Sequence, residues 1–320
     1  MKVIKDLQGV PEDLRGGVMT IGNFDGVHLA HQAIIKRVVD EARRRGSKAI
    51  VMTFEPHPQQ VLHPERERFY LITTLEEKLE ILSCMGVDAV IVVAFSQEFS
   101  KTTAEEFARD IVCGKVRPVM VFIGHDYTFG CGKEGKPDYL RMQGDKCGFG
   151  VEVIGAVKME GGVVSSTRVR NAVLEGNVSL AARLLGRPYS LGGHVVEGDR
   201  RGSTIGFPTA NIEAEKLLVP ARGVYAVYAD LEGRRYKAAL NIGFNPTFSK
   251  EGMMTVEAHI LDFNGHLYGK KLRLSFVERI RDEKKFENPD ELVTQIKKDV
   301  ELVRGILDGK VENSGCTARS

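Results

Sequence analysis

The chain has no apolar run long enough to cross a bilayer. Its longest nearly uninterrupted stretch, Val87 to Phe95, contains Asp88 and falls far short of the ~20 residues a spanning helix needs. No membrane association is expected. Charge of one sign is also missing: 45 Lys+Arg stand against 43 Asp+Glu, a net +2, so no overall field gathers nucleic acid or an anionic surface. No motif suggests nucleic-acid recognition. The opening MKVIKDLQGV carries Lys2, Lys5 and Asp6 where an export signal would be continuously apolar, so export is not expected. Cysteine is sparse. Cys84, Cys113, Cys131, Cys147 and Cys316 are odd in number and widely spaced, with no C-x-x-C pair, which indicates neither a disulfide framework nor a zinc knuckle and points to a reducing cytoplasm. What is present is enough for two cores: 320 residues with 42% hydrophobic content, at ~100–200 residues per domain.

Short β-branched runs alternate with amphipathic stretches in the first half: GGVMTIG, HQAIIKRVVDEARRRG, KAIVMTF, then TLEEKLEILSCMG, DAVIVVAF, TAEEFARDIV and VMVFIG. This is a βαβ rhythm, and strands apolar on both faces suit a parallel sheet covered by helices. The helix SSTRVRNAVLEGN, with hydroxyl residues at its start and Gly176 at its stop, closes this region. From about Gly186 the rhythm changes to LGGHVVEG, GVYAVYADLEG, RRYKAALNIG, TVEAHILDFNG and KKLRLSFVERI, separated by Gly, Asn and Asp turns. Such spacing predicts an antiparallel barrel or sandwich. Helical periodicity returns in NPDELVTQIKKDVELVRGIL, with Asn288 as cap and Pro289 in the first turn; its stripe Leu292, Ile296, Val300, Val303 reads as core packing. The expected domains are residues 1–185, residues 186–310 and a polar tail, 311–320.

Directly after the first strand, GNFDGVHLAHQ places Gly22 and Gly26 in a turn and His28 and His31 at the mouth of a helix. A helix start offers unpaired N–H groups and the positive end of the dipole, and imidazoles beside it can hydrogen-bond a phosphate whose charge shifts during reaction. The alternative is a zinc site, for which no third ligand stands nearby. In the second half, GDRRGSTIGFPTAN carries Gly198, Gly202 and Gly206, which let a loop fold closely over phosphates, followed by Pro208, Thr209 and Asn211. Thr209 and Asn211 are two apart, so on an extended backbone both oxygens point to one side and can meet a Mg²⁺ that bridges nucleotide phosphates. The alternative is a glycine-rich hairpin with a polar strand face.

GNFDGVHLAH, including Phe24 and Asp25, resembles the HIGH-type signature of α/β nucleotidyltransferases. With FEPHP, GHDYTFG, SSTRVR, GFPTANI, GVYAVY, ALNIGFNPTF and TVEAHILDF, the chain resembles the prokaryotic bifunctional riboflavin kinase and FAD synthetase family over nearly its whole length. The resemblance implies a Rossmann-like nucleotidyltransferase domain followed by a six-stranded antiparallel barrel with a terminal helix. It also implies two reactions in the cytoplasm. Riboflavin is phosphorylated to FMN with ATP and Mg²⁺; FMN is then adenylylated by a second ATP to FAD, with release of pyrophosphate. His28 and His31 become phosphate contacts. Arg168 serves the phosphates that leave as pyrophosphate, and Ser165, Ser166 and Thr167 either add hydroxyl donors or cap a helix. Asp126 and His57 face the nucleotide or flavin, or are ordinary turn residues. Glu257 becomes the general base for the ribityl 5′-hydroxyl. Two departures are visible: Ala30 stands where the family has glycine, and Ser203 where a basic residue is usual, with Arg200 and Arg201 adjacent. The rival expectations are a kinase with a weak or altered nucleotidyltransferase module and a flavin-responsive regulatory protein. The number of copies in an assembly is not legible.

Overall fold

The computed structural model describes residues 1–5, 7–65, 68–198, 205–245 and 253–309. It divides into two compact units, the first comprising Met1–Phe69 with Thr73–Ser165 and the second Tyr70–Ile72 with the chain from Ser166 onward. The expected tail, 311–320, lies outside the described residues.

In the first unit, strands β1 (Lys2–Ile4), β2 (Val18–Ile21), β3 (Ala49–Glu55), β4 (Ala89–Ala94), β5 (Met120–Gly124) and β6 (Gly150–Ile154) form one sheet in the order β1-β4-β3-β2-β5-β6. Every pairing is parallel. The crossovers are α1 (Leu29–Arg45), the five-residue α2 (Pro58–Leu62), α3 (Leu75–Cys84), α4 (Ala104–Glu106), which runs on as a π-helix over Phe107–Val116, and α5 (Pro137–Cys147). Alternate residues of β2 serve opposite cores, as the period of two requires: Met19 and Ile21 pack with Phe107, Ile111 and Leu140, while Val18 packs with Ile35, Val38 and Leu82. A two-residue hairpin, β7 (Lys158–Met159) and β8 (Gly162–Val163), follows β6.

The second unit opens with α6 (Ser166–Leu174) and α7 (Val178–Leu185). Six antiparallel strands then close into a barrel: β9 (Ser190–Val196), β10 (Ala210–Ala214), β11 (Gly223–Leu231), β12 (Arg234–Asn245), β13 (Met253–Ile260) and β14 (Lys271–Arg281), in the order β10-β13-β12-β11-β14-β9. Between the two alternatives in the strand pattern, barrel and sandwich, closure of this sheet decides for the barrel. The terminal helix α8 (Pro289–Gly309) packs on it. Asn288 Oδ1 accepts the Glu291 amide at 2.9 Å, the expected cap. Val303 and Leu307 meet Ala226, Leu261 and Val277, and Leu292 and Ile296 are only half-buried. The packed stripe therefore runs further toward the C-terminus than the sequence pattern suggests. Arg281 on β14 grips Asp299 of α8 through Nε (3.1 and 3.0 Å) and Nη2 (2.7 Å), and both side chains are nearly buried.

One expectation is overturned. Cys113 and Cys147 form a disulfide with Cα atoms 5.9 Å apart. The π-helix brings Cys113 against the end of α5, and a pair 34 residues apart leaves no local spacing signal. Among the described residues no helix is long and apolar enough to cross a membrane.

Candidate functional site

β2 lies between β3 and β5, where the sheet order reverses. In open α/β sheets the crevice at the carboxyl ends of the strands flanking such a reversal is the binding place. The Gly22–His28 turn leaves β2 at that end, and Gly124–Asp126 leaves β5 there.

His28 is the N-cap of α1. Its Nδ1 accepts the His31 amide at a long 3.4 Å, which assigns the proton of neutral His28 to Nε2. The two imidazoles stack at 3.6 Å and 17°. Nδ1 of His31 is buried without a hydrogen-bond partner. Burial first, then neighbouring His28 and the Lys78 cation, push the His31 pKa well below its ordinary 6.5. His31 is thus a neutral, desolvated imidazole stacked on the N-cap residue at the positive end of a helix. Ala30 sits in the first turn of α1, outside the positive-φ positions, so its methyl adds no backbone strain and favours the helix by about 1 kcal/mol over glycine.

The turn itself is unusual. Phe24 (φ 47°) and Val27 (φ 40°) both adopt left-handed backbone, costly for bulky and β-branched residues. Phe24 is 2% exposed. Its ring lies close against Gly22, where a Cβ would stand 3.1 Å from Cζ. Asp25 is 1% exposed and points inward: its Oδ1 accepts the Thr73 amide at 3.1 Å and hydroxyl at 3.4 Å. Thr73 Oγ1 in turn accepts the Gly26 amide at 3.0 Å. Lys78 Nζ donates to the Asn23 carbonyl at 2.8 Å and to Thr53 Oγ1 at 3.2 Å. Thr73, Thr53 and Lys78 were not anticipated. For Lys78 a signal existed: with Leu75, Leu79 and Leu82 it falls on the i, i+3, i+4, i+7 face of α3, where a charge is out of place.

His57 caps α2, accepting the Gln59 amide on Nδ1 at 3.2 Å, and its ring stacks on Phe69 at 4.5 Å. His57 therefore opens a short helix, with Pro58 in its first turn. Asp126 is exposed. The hydroxyl of Tyr127 is buried without a partner, and burial raises its pKa. Ser165 ends the first unit, whereas Ser166, Thr167 and Arg168 open α6 in the second.

On the barrel, strand register builds the other cluster. Glu257 of β13 stands opposite Asn211 of β10 and Asn241 of β12, and residues directly opposite share a face. Val256 and Ala258 are buried, so Glu257 faces away from them; it is half-buried. Gly198 leaves no room for a Cβ against the Asn211 amide. At Gly243 a Cβ would lie 2.9 Å from Glu283 Oε1, 3.2 Å from Asn241 Nδ2 and 3.3 Å from Thr255 Oγ1, which places these polar groups together around Gly243. Asn241 is the residue that the sequence reading missed here. Pro208 offers its carbonyl to His259 Nδ1 at 2.8 Å, Thr209 enters β10 half-buried, and Gly206 adopts φ 84°. Gly202, Ser203, Arg200 and Arg201 lie outside the described residues. Among the described residues no three His, Cys, Asp or Glu side chains gather as a metal site.

Residues 10–168 match the family model described as FAD synthetase, and residues 185–307 match the one described as riboflavin kinase. The chain is 37% identical over 306 residues to a bifunctional riboflavin kinase/FMN adenylyltransferase of Pseudomonas fluorescens, covering 96% of this chain and 98% of that protein. With the protein of the same description from Escherichia coli K12 it shares 38% identity over 303 residues, 93% and 96% of the two chains. A crystal structure described as a macrolide-efflux protein from Streptococcus pneumoniae superposes with a TM-score of 0.86 at 35% identity, over 94% of this chain and 98% of that one.

Proposed function

Since the chain belongs to the bifunctional riboflavin kinase/FMN adenylyltransferase family, we infer a division of its two reactions between two separately built sites. The enzyme phosphorylates riboflavin to FMN and adenylylates FMN to FAD, using ATP in both steps. In the barrel unit, Glu257 takes the proton of the ribityl 5′-hydroxyl as that oxygen bonds to the γ-phosphorus and ADP departs. Thr209 and Asn211 offer the neutral oxygen donors that Mg²⁺ prefers. The close seat of Asn211 against Gly198 fits a position fixed for such a ligand. When bound, the metal supplies neutralising charge on the nucleotide phosphates.

In the α/β unit, an oxygen of the FMN phosphate attacks the α-phosphorus of ATP and pyrophosphate leaves, so the protein's task is positioning and stabilising spread negative charge. His28 donates from Nε2 to phosphate oxygen. His31, neutral because it is desolvated, stacks behind it and fixes the ring plane. The start of α1 adds its backbone N–H groups. Gly22 and Gly26 let the turn approach the nucleotide, with Phe24 and Asp25 anchoring it from within. His57 and Asp126 border the nucleotide or flavin. Gly198, Gly206 and Pro208 border the kinase nucleotide. The setting is the cytoplasm, supported by dependence on ATP.

The observation that carries the reading is the stacked imidazole pair at a helix start located at the sheet's reversal. Its test is direct: purified protein incubated with riboflavin, ATP and Mg²⁺, with flavins separated by chromatography. FMN followed by FAD is expected; FMN alone would remove the adenylyl-transfer assignment.

A further inference from the structure

Behind the Gly22–Val27 turn a cation is sealed from water. Lys78 is 3% exposed and sits one turn into α3, whose start is fixed by a capping box: Thr74 Oγ1 accepts the Glu77 amide at 3.2 Å and Glu77 Oε2 accepts the Thr74 amide at 2.8 Å. Burying an ammonium costs several kcal/mol unless acceptors replace its water. The acceptors given to Lys78 converge on one atom. Nζ reaches the Asn23 carbonyl at 2.8 Å and Thr53 Oγ1 at 3.2 Å, and the Thr53 hydroxyl donates to the same Asn23 carbonyl at 3.1 Å. Burial lowers the Lys78 pKa from its ordinary value, and the Asp25 and Glu55 carboxylates oppose that shift.

That carbonyl precedes Phe24, the first of the two left-handed non-glycine residues in the turn. Strained backbone of this kind persists only where its surroundings over-determine it. Thr73 supplies one brace, through Asp25 and Gly26; Lys78 supplies another. Packing alone does not call for a charge, because the rest of this α3 face is leucine.

We propose that Lys78 is a positioning residue for adenylyl transfer: its buried ammonium fixes the Asn23 carbonyl and so holds the Gly22–His28 turn in the shape that presents His28 and the start of α1 to the nucleotide phosphates. Lys78 itself touches no substrate. The inference rests on the assignment of FMN adenylylation to this turn.

The test uses the full chain with FMN, ATP and Mg²⁺. Lys78→Met keeps the side-chain volume and removes the charge, and kcat/KM for FAD formation is expected to fall about 10²-fold, the scale of an ångström misplacement at a reacting centre. Riboflavin phosphorylation by the same chain stays within about twofold, since additivity holds for remote sites. Lys78→Ala is expected to lose as much and to regain about tenfold on addition of propylammonium, the value of one charge-assisted hydrogen bond. Tetramethylammonium, with the charge but no N–H, restores nothing. Adenylylation at the wild-type rate in Lys78→Met, or absence of propylammonium rescue in Lys78→Ala, overturns the proposal. Should both variants unfold, Thr53→Val retains the lysine and loses the shared hydroxyl: a drop of about fivefold is expected for one neutral hydrogen bond, and an unchanged rate overturns the idea. A wild-type protein that made no FAD from FMN would instead remove the underlying assignment, a result distinct from equal rates in wild type and Lys78→Met.

Discussion

The two units hold phosphate chemistry by opposite means. In the α/β unit the site is a helix start and a strained turn, fixed from behind by buried side chains: Asp25, Thr73, Thr53 and Lys78 are each under 8% exposed. In the barrel the site is a half-buried row, Asn211, Glu257 and Asn241, aligned by strand register. The first arrangement depends on a few desolvated polar contacts and fails when one is removed. The second is distributed over a hydrogen-bonded ladder, so losing a side chain costs chemistry but little structure.

The largest expected effect sharpens that contrast. Glu257→Gln keeps shape and register while removing the base, and riboflavin phosphorylation should fall about 10³-fold, within the usual range for a general base. Its melting temperature and its conversion of supplied FMN to FAD should stay put. A large fall in both activities would show that the row is structural.

Next comes stability within the barrel unit. Asp299→Ala strands the buried Arg281 guanidinium, and urea unfolding of this unit should show a loss of about 3–5 kcal/mol. An effect under about 1 kcal/mol, the figure for an exposed pair, would mean that the Arg281–Asp299 contact is solvated.

His31→Ala should slow adenylylation about 10²-fold, the scale for removing one preorganised group, with phosphorylation unchanged. The pH dependence of the wild type follows from the depressed His31 pKa. Because the folded-state value lies below the unfolded 6.5, the unfolded chain takes up the proton first. The stabilising contribution of neutral His31 is therefore complete above pH 6.5 and is lost as pH falls below it toward the folded value. Urea midpoints should decline over that acidic window more steeply in wild type than in His31→Asn; equal slopes would place His31 in solvent. Smallest is the cap: Asn288→Ala should cost about 1 kcal/mol, measured as reduced protection of the first turn of α8.

Legibility in the sequence divides along the same line. The alternation of β2, α1, β3, α3, β4 and β5 was readable because each carries a clear period. The barrel strands were readable from turn residues, and Asn288 from cap chemistry. β1 is three residues long and too short for any period. α5 begins at Pro137 and is mostly polar, so its face is faint. The histidines and Glu257 were found through motifs, which mark side chains that meet ligands. Thr73, Thr53 and Lys78 brace the turn through long-range contacts; those of Thr73 and Thr53 leave no spacing in the sequence, and Lys78 shows there only as a charge on the leucine face of α3. Asn241 needed the pairing of β12 with β13, and Cys113–Cys147 needed the packing of two helices.

The central claim is that two chemistries occupy two separately built sites. Mixing full-length Glu257→Gln with full-length His31→Ala, in riboflavin, ATP and Mg²⁺, tests it by flavin chromatography. Alone, the first should leave riboflavin nearly untouched and the second should accumulate FMN; together they should make FAD. A mixture that stops at FMN, while the His31→Ala chain is folded and active as a kinase, would contradict the account.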